Sequence, residues 1–155
     1  TVSAPIDLSV TCQWMERPRN RLYHAYILRH MKSEATAAGA ALTPDERAAI
    51  RRSRSVWEYD EFFIGPRHGF AGAEDYYEKN KPLSFMTGIR IPTLLIAAAN
   101  DPWIPVSTYR GFDWPSNPAL TPLLPSGGGH VGFYGARDSV AWSDRAVVAF
   151  FNDGP

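Results

Sequence analysis

Three observations predict an α/β fold: a few mostly parallel strands covered by helices, with a helical insertion. Residues 91–101, "IPTLLIAAAND", form a continuous apolar run that ends in turn residues, the pattern of a strand buried on both faces of a parallel sheet. The two ends of the chain order strand and helix signals as layered α/β folds do. The middle carries helical periodicity and helix-start signals instead. The expected division is therefore residues 1–7 and 87–155 as an α/β core and residues 8–86 as the helical insertion.

"TVSAPIDL" reads as a short strand that runs into a proline bend. Next, Tyr23, Tyr26, Ile27, His30 and Met31 recur at the spacing of one helix face, and Gly39 is a candidate stop. "TPDERAAIRRSR" carries a start signal, with Thr43 at the cap, Pro44 in the first helical position and Glu46 three residues after the cap. "SVWEYDEFF" and "GAEDYYEKN" read as short helices separated by the turn "GPRHG". A short helix near Val106 interrupts a Pro/Gly/Asn-rich loop. "ALTPLLP" is a second strand, which Pro122 directs to an edge. "WSDRAVVAFFND" closes the chain as a helix, with Ser143 as its cap and Gly154 just past its end.

Composition narrows the function classes. The 155 residues carry no formal net charge, and the sequence pI is near 6.8, so no charge excess points to nucleic acid. The one cysteine, Cys12, leaves no internal disulfide framework and reads as a buried small hydrophobe. No apolar run is long enough to span a bilayer. With no basic-then-apolar leader, the expected compartment is the cytoplasm. The start on "TVSAPIDL", without methionine, suggests a piece of a longer polypeptide. So does the small number of strands, whose edge at residues 1–8 would need covering by the rest of that polypeptide or by another copy.

Two residues are placed for chemistry. Asp101 follows the apolar run, and His130 follows "LTPLLPSGGG" 29 residues later. Both stand where α/β sheets present ligand-binding residues, beyond the carboxyl ends of strands. An Asp there can orient a His, and the glycines let the backbone turn sharply before the imidazole. Each also has a structural reading. An Asp before Pro commonly caps its own turn, and a His after glycines can sit in a surface loop. The pair at the ends of consecutive strands favours the functional reading. The other histidines are weaker candidates. His24 and His30 are six residues apart and share no helix face, and His68 sits in a turn. Glu58, Asp60 and Glu61 read as a solvated helix face. No residue grouping has zinc-ligand spacing, and no glycine loop has a P-loop or dinucleotide pattern.

"SAPIDL", "HGFAGAEDYYEKNKP", "IPTLLIAAANDPWIP" and "GGGHVGF", in that order, resemble the C-terminal half of the AB hydrolase 4 (YheT-type) family of α/β-hydrolases. That resemblance implies a serine carboxylic-ester hydrolase with a Ser-Asp-His triad. It places the triad acid at Asp101, the base at His130, and a helical cap over the acyl pocket at about residues 8–86. A small ester or lipid-like substrate is implied, with no cofactor. In this fold the nucleophile sits on a G-x-S-x-G elbow, and none of the serines here has that context. The family places the elbow upstream of the strand matching "SAPIDL", so the isolated chain is expected to be inactive. The alternative is a non-catalytic module that binds a partner or hydrophobic ligand through Trp14, Trp57, Tyr59, Phe62 and Phe63.

Overall fold

The computed structural model describes residues 1–153. The chain forms two compact units, one made of Thr1–Thr11 with the chain from Lys81 onward, the other of Cys12–Asn80.

The first unit is built around β1 (Thr93–Ile96), which pairs in parallel with β2 (Leu120–Leu123) in the register Thr93 to Leu120 through Ile96 to Leu123. Beyond the named strands, Ala97 N–H donates to Leu123 O (3.0 Å) and Ala99 N–H to Pro125 O (2.8 Å). Leu123 therefore turns its backbone toward β1, and Pro122, lacking an N–H, faces the open side. The opposite side of β1 meets the N-terminal segment. "TVSAPIDL" forms no full strand; it bridges β1 at Val2–Ile96 alone, with Ser3 N–H donating to Ile96 O (2.8 Å) and Ile96 N–H to Thr1 O (2.9 Å). After Ser3 the chain leaves the ladder and enters α1 (Leu8–Met15). Asp7 Oδ1 caps that helix by accepting from Val10 N–H at 3.1 Å.

Alternation along β1 explains its uninterrupted apolar run. Leu95 and Ala97 pack with Ile6, Met86, Ile104, Tyr109 and Leu120. Leu94, Ile96 and Ala98 pack with Phe133 and Ala141, joined by Trp142, Ala146, Val147 and Phe150 of the last helix. Both faces are covered, as the sequence pattern requires. The helix expected near Val106 is α7 (Val106–Arg110). α8 runs Trp142–Asp153, starting one residue before the expected cap, so Ser143 lies in its first turn. The expected stop at Gly154 falls outside the described residues.

The second unit is helical: α2 (Arg21–Ala35), α3 (Pro44–Arg52), α4 (Val56–Tyr59), a π turn (Asp60–Ile64), α5 (Gly65–Arg67) and α6 (Ala73–Asn80). Leu28, Ala49, Ile50, Tyr59 and Phe63 form its core. The α3 start is as expected. Thr43 Oγ1 accepts from Glu46 N–H (3.2 Å), and Glu46 Oε2 accepts from Thr43 N–H (2.7 Å).

Three expectations about helix faces and ends fail in this unit. On α2 the buried side chains are His24 and Leu28, while Tyr26 and His30 are exposed and touch through tilted rings with centroids 4.0 Å apart. The helix also ends at Ala35, before Gly39. "GPRHG" is not a turn throughout, because residues 65–67 continue the helix through the π turn. In that turn Gly65 N–H donates to Asp60 O, five residues back. Gly65 also lies so close to Gly72 that a Cβ on it would come within 2.9 Å of the Gly72 carbonyl.

The carboxylates read as a solvated face are all engaged. Asp60 is buried and accepts from the Tyr77 hydroxyl at 2.5 Å. Glu61 Oε2 accepts from Ala73 N–H and Glu58 Oε2 from Arg54 N–H, both at 2.7 Å. Burial lifts the Asp60 carboxyl to about 6, against the opposing pull of the Tyr77 hydrogen bond. Cys12 Sγ lies 3.4 Å from the same hydroxyl, and burial pushes its thiol up to about 11. The hydroxyl has one proton and gives it to the carboxylate, so the thiol is the donor to the phenol oxygen.

Candidate active site

The parallel pairing of β1 and β2 places their carboxyl ends at one rim. Asp101 and His130 leave that rim on the two loops that follow, and they meet. His130 Nδ1 is 3.0 Å from Asp101 Oδ2. The Asp101 side chain is fully buried, and that of His130 is 24% exposed. A carboxylate can only accept, so Nδ1 carries the proton and donates it. In the neutral ring that leaves the Nε2 lone pair, which takes no hydrogen bond among the described residues, free to receive a proton. The arrangement suits an oriented base, because the carboxylate fixes one tautomer and stabilises the imidazolium once Nε2 is protonated.

The structural reading of Asp101 also holds, on its other oxygen. Oδ1 accepts from Trp103 N–H (2.8 Å) and Ile104 N–H (2.9 Å), closing the turn that "NDPW" makes. The two oxygens divide the work: one shapes the loop and the other holds the ring. Burial works to raise this carboxyl. The hydrogen bond from His130, those from the amides of Ile104 and Trp103, and the His130 charge outweigh it and hold the group below the ordinary Asp value. Below this site Tyr109 is fully buried, and its hydroxyl donates to Ala4 O at 2.6 Å. Burial and the nearby Asp101 charge push that phenol up to about 12.

The glycines have a specific steric use. Gly128 sits at φ +146, where a Cβ would lie 2.4 Å from the Phe133 ring, and Gly129 at φ +58. Phe133 N–H donates back to Gly128 O at 3.0 Å, closing the loop around His130. The strain does not stop at the glycines. Val131 (φ +55) and Phe133 (φ +52) are also left-handed, as is Ser3 (φ +49). For a β-branched residue such as Val131 this conformation is an outlier, with a cost of ~1–3 kcal/mol.

Sequence reasoning brought out Asp101 and His130 and missed three residues around them. Trp103 packs against His130 in an edge-to-face pair, with centroids 4.5 Å apart. Asn100 Oδ1 accepts from Gly129 N–H at 2.9 Å. Ser3 Oγ lies 3.4 Å from Val131 N. The first two share the Asp101 turn, so their position was a usable signal; nothing local marks Ser3. The other histidines lie elsewhere. His24 Nε2 accepts from Val56 N–H at 3.1 Å, a structural role, and His68 is exposed in a turn. Of the aromatic set proposed as a binding surface, Tyr59 and Phe63 are core residues.

Comparison with known proteins gives consistent relatives. The chain is 33% identical to the YheT protein of Escherichia coli over 139 residues, covering 86% of the chain and 40% of that protein. It is 30% identical to human Protein ABHD15 over 156 residues, covering 97% of the chain and 33% of the relative. A monoacylglycerol lipase of Saccharomyces cerevisiae is 33% identical over 106 residues, covering 65% of the chain and 22% of the lipase. The chain thus spans well under half the length of these relatives. No protein-family model and no solved structure matches it. With this level of identity along nearly its whole length, the chain belongs to the α/β-hydrolase family that includes the YheT-type proteins.

Proposed function

We propose that this chain supplies the acid and base of a serine carboxylic-ester hydrolase, with Asp101 as the orienting acid and His130 as the general base. The observation that carries the reading is the Nδ1–Oδ2 hydrogen bond at 3.0 Å on a ring whose Nε2 takes no hydrogen bond among the described residues. Relatives named as esterases and lipases support the reaction class. The nucleophile is a serine in polypeptide upstream of Thr1, because no serine in this chain stands in a G-x-S-x-G elbow. Residues 8–86 serve as the cap over the acyl chain, and the upstream polypeptide covers the sheet edge at residues 1–8. In the cycle, His130 Nε2 takes the serine proton as the oxygen attacks the ester carbonyl. It then returns that proton to the departing alcohol, and a water activated at the same nitrogen releases the acid.

The test is made on the protein read in frame with its upstream sequence. His130→Ala should lower hydrolysis of a chromogenic ester by three orders of magnitude or more, roughly. Retention of near-normal rate sinks the assignment. The 155-residue chain alone should resist a fluorophosphonate probe. Stoichiometric labelling of any serine in it places the nucleophile inside and overturns the division.

A further inference from the structure

The loop that carries His130 is held on both sides of the histidine. Gly129, just before it, donates its N–H to Asn100 Oδ1 at 2.9 Å. Val131, just after it, is left-handed and half-exposed, with its N–H 3.4 Å from Ser3 Oγ. The contact at 2.9 Å is the stronger of the two. A run of left-handed residues at 129, 131 and 133 does not persist unless its surroundings over-determine it.

Asn100 and Asp101 are neighbours in one turn; Gly129 and His130 are neighbours in the facing loop. The contacts form two parallel ties, 100 to 129 and 101 to 130. One tie alone lets the histidine backbone swing about the carboxylate. Two ties fix the Cα of His130 relative to Asp101 and thereby the direction of Nε2. We infer that Asn100 is a positioning residue for His130, acting through its side-chain oxygen on the Gly129 amide. The kinetic part of this rests on the proposed role of His130 as base; the structural part does not.

The test compares Asn100→Ala, which removes the acceptor, with Asn100→Asp, which keeps one at the same reach. Proton NMR on the chain reads exchange of the His130 Nδ1 proton and of the Gly129 amide. Asn100→Ala should speed both by about 5- to 50-fold while β1 amides are unchanged, and Asn100→Asp should stay within about threefold of the unaltered protein. In the full-length protein, kcat at the pH of maximal rate should fall by a similar factor in Asn100→Ala, with KM unmoved, and recover in Asn100→Asp. Unchanged exchange in Asn100→Ala, or equal damage in both variants, overturns the inference. If Asn100→Ala does not fold, the unaltered chain still decides: a Gly129 amide exchanging as fast as an unstructured peptide refutes the tie. Full activity in His130→Ala defeats the proposed function and leaves the exchange result standing, so the two failures are distinguishable.

Discussion

The indole of Trp103 meets the imidazole of His130 edge to face, with ring planes 63° apart and centroids 4.5 Å apart. The amide of the same Trp103 is held by Asp101 Oδ1. One carboxylate therefore sets both the ring and the wall beside it. Aromatic pairs of this geometry contribute ~0.5–1.5 kcal/mol beyond burial. Trp103→Ala in the full-length protein should lower kcat/KM for a chromogenic ester by at most about tenfold. Trp103→Phe, which keeps an aromatic edge, should recover most of it.

Because the oxygens of Asp101 do different things, two substitutions should separate them. Asp101→Asn keeps an oxygen for the amides of Trp103 and Ile104 but presents an N–H₂ to the ring, which forces the other tautomer. Asp101→Ala loses both functions. In the full-length protein ester hydrolysis should collapse in both, by about 10⁴ in Asp101→Asn. Thermal unfolding should tell them apart, with Asp101→Ala the less stable by about 1–3 kcal/mol because the buried Ile104 amide and the partly buried Trp103 amide lose their acceptor. Equal stability of the two would show that the turn does not depend on Oδ1.

Asp60 should leave a mark on stability against pH. Its carboxyl stands at about 6 in the folded protein because it is buried. Between the ordinary Asp value and about 6, the folded state holds a proton that the unfolded chain has released. The contribution of this group therefore declines as pH rises through that window and is constant above it. Asp60→Asn can still accept from the Tyr77 hydroxyl without carrying a charge. It should be more stable than the unaltered chain at pH 7.5, by up to about 3 kcal/mol, and lose that advantage near pH 4. Urea midpoints of the two proteins at both pH values provide the check.

Two backbone positions give further outcomes. Thr43→Ala removes one half of the reciprocal cap on α3 and should cost about 1 kcal/mol in chemical denaturation. Gly128→Ala meets both a left-handed φ and the Phe133 ring at 2.4 Å. It should cost at least about 2 kcal/mol. The same substitution at Gly127, where a Cβ meets nothing within 4 Å, should be nearly neutral.

What the sequence disclosed follows the range of each interaction. The cap of α3 is local, with Thr43 and Glu46 three residues apart, and it was readable. β1 was readable because burial on both faces removes polar residues from the run itself. α1 was missed because its cap, Asp7, lies in a stretch dominated by strand and proline signals. On α2, Tyr26 and His30 looked like an inward face, but residues four apart also meet on an outward one. Asp60 was misread because its partner, Tyr77, is 17 residues away, and no local pattern marks a carboxylate that will be buried. At the site, Asp101 and His130 stood out because each stands in the loop that follows a strand. Ser3, reached only through the folded sheet, gave no signal.

The π turn at residues 60–64 makes the helical unit sensitive to chain length. An α-helix advances about 100° per residue, and the five-residue closure absorbs one residue more than a regular turn. Losing a single amino acid there would restore regular winding and keep the downstream register, whereas gaining one would rotate everything downstream by that angle, swinging Gly65 away from Gly72, where no side chain fits. A one-codon insertion between 60 and 64 should therefore harm this protein more than a one-codon deletion in the same five positions.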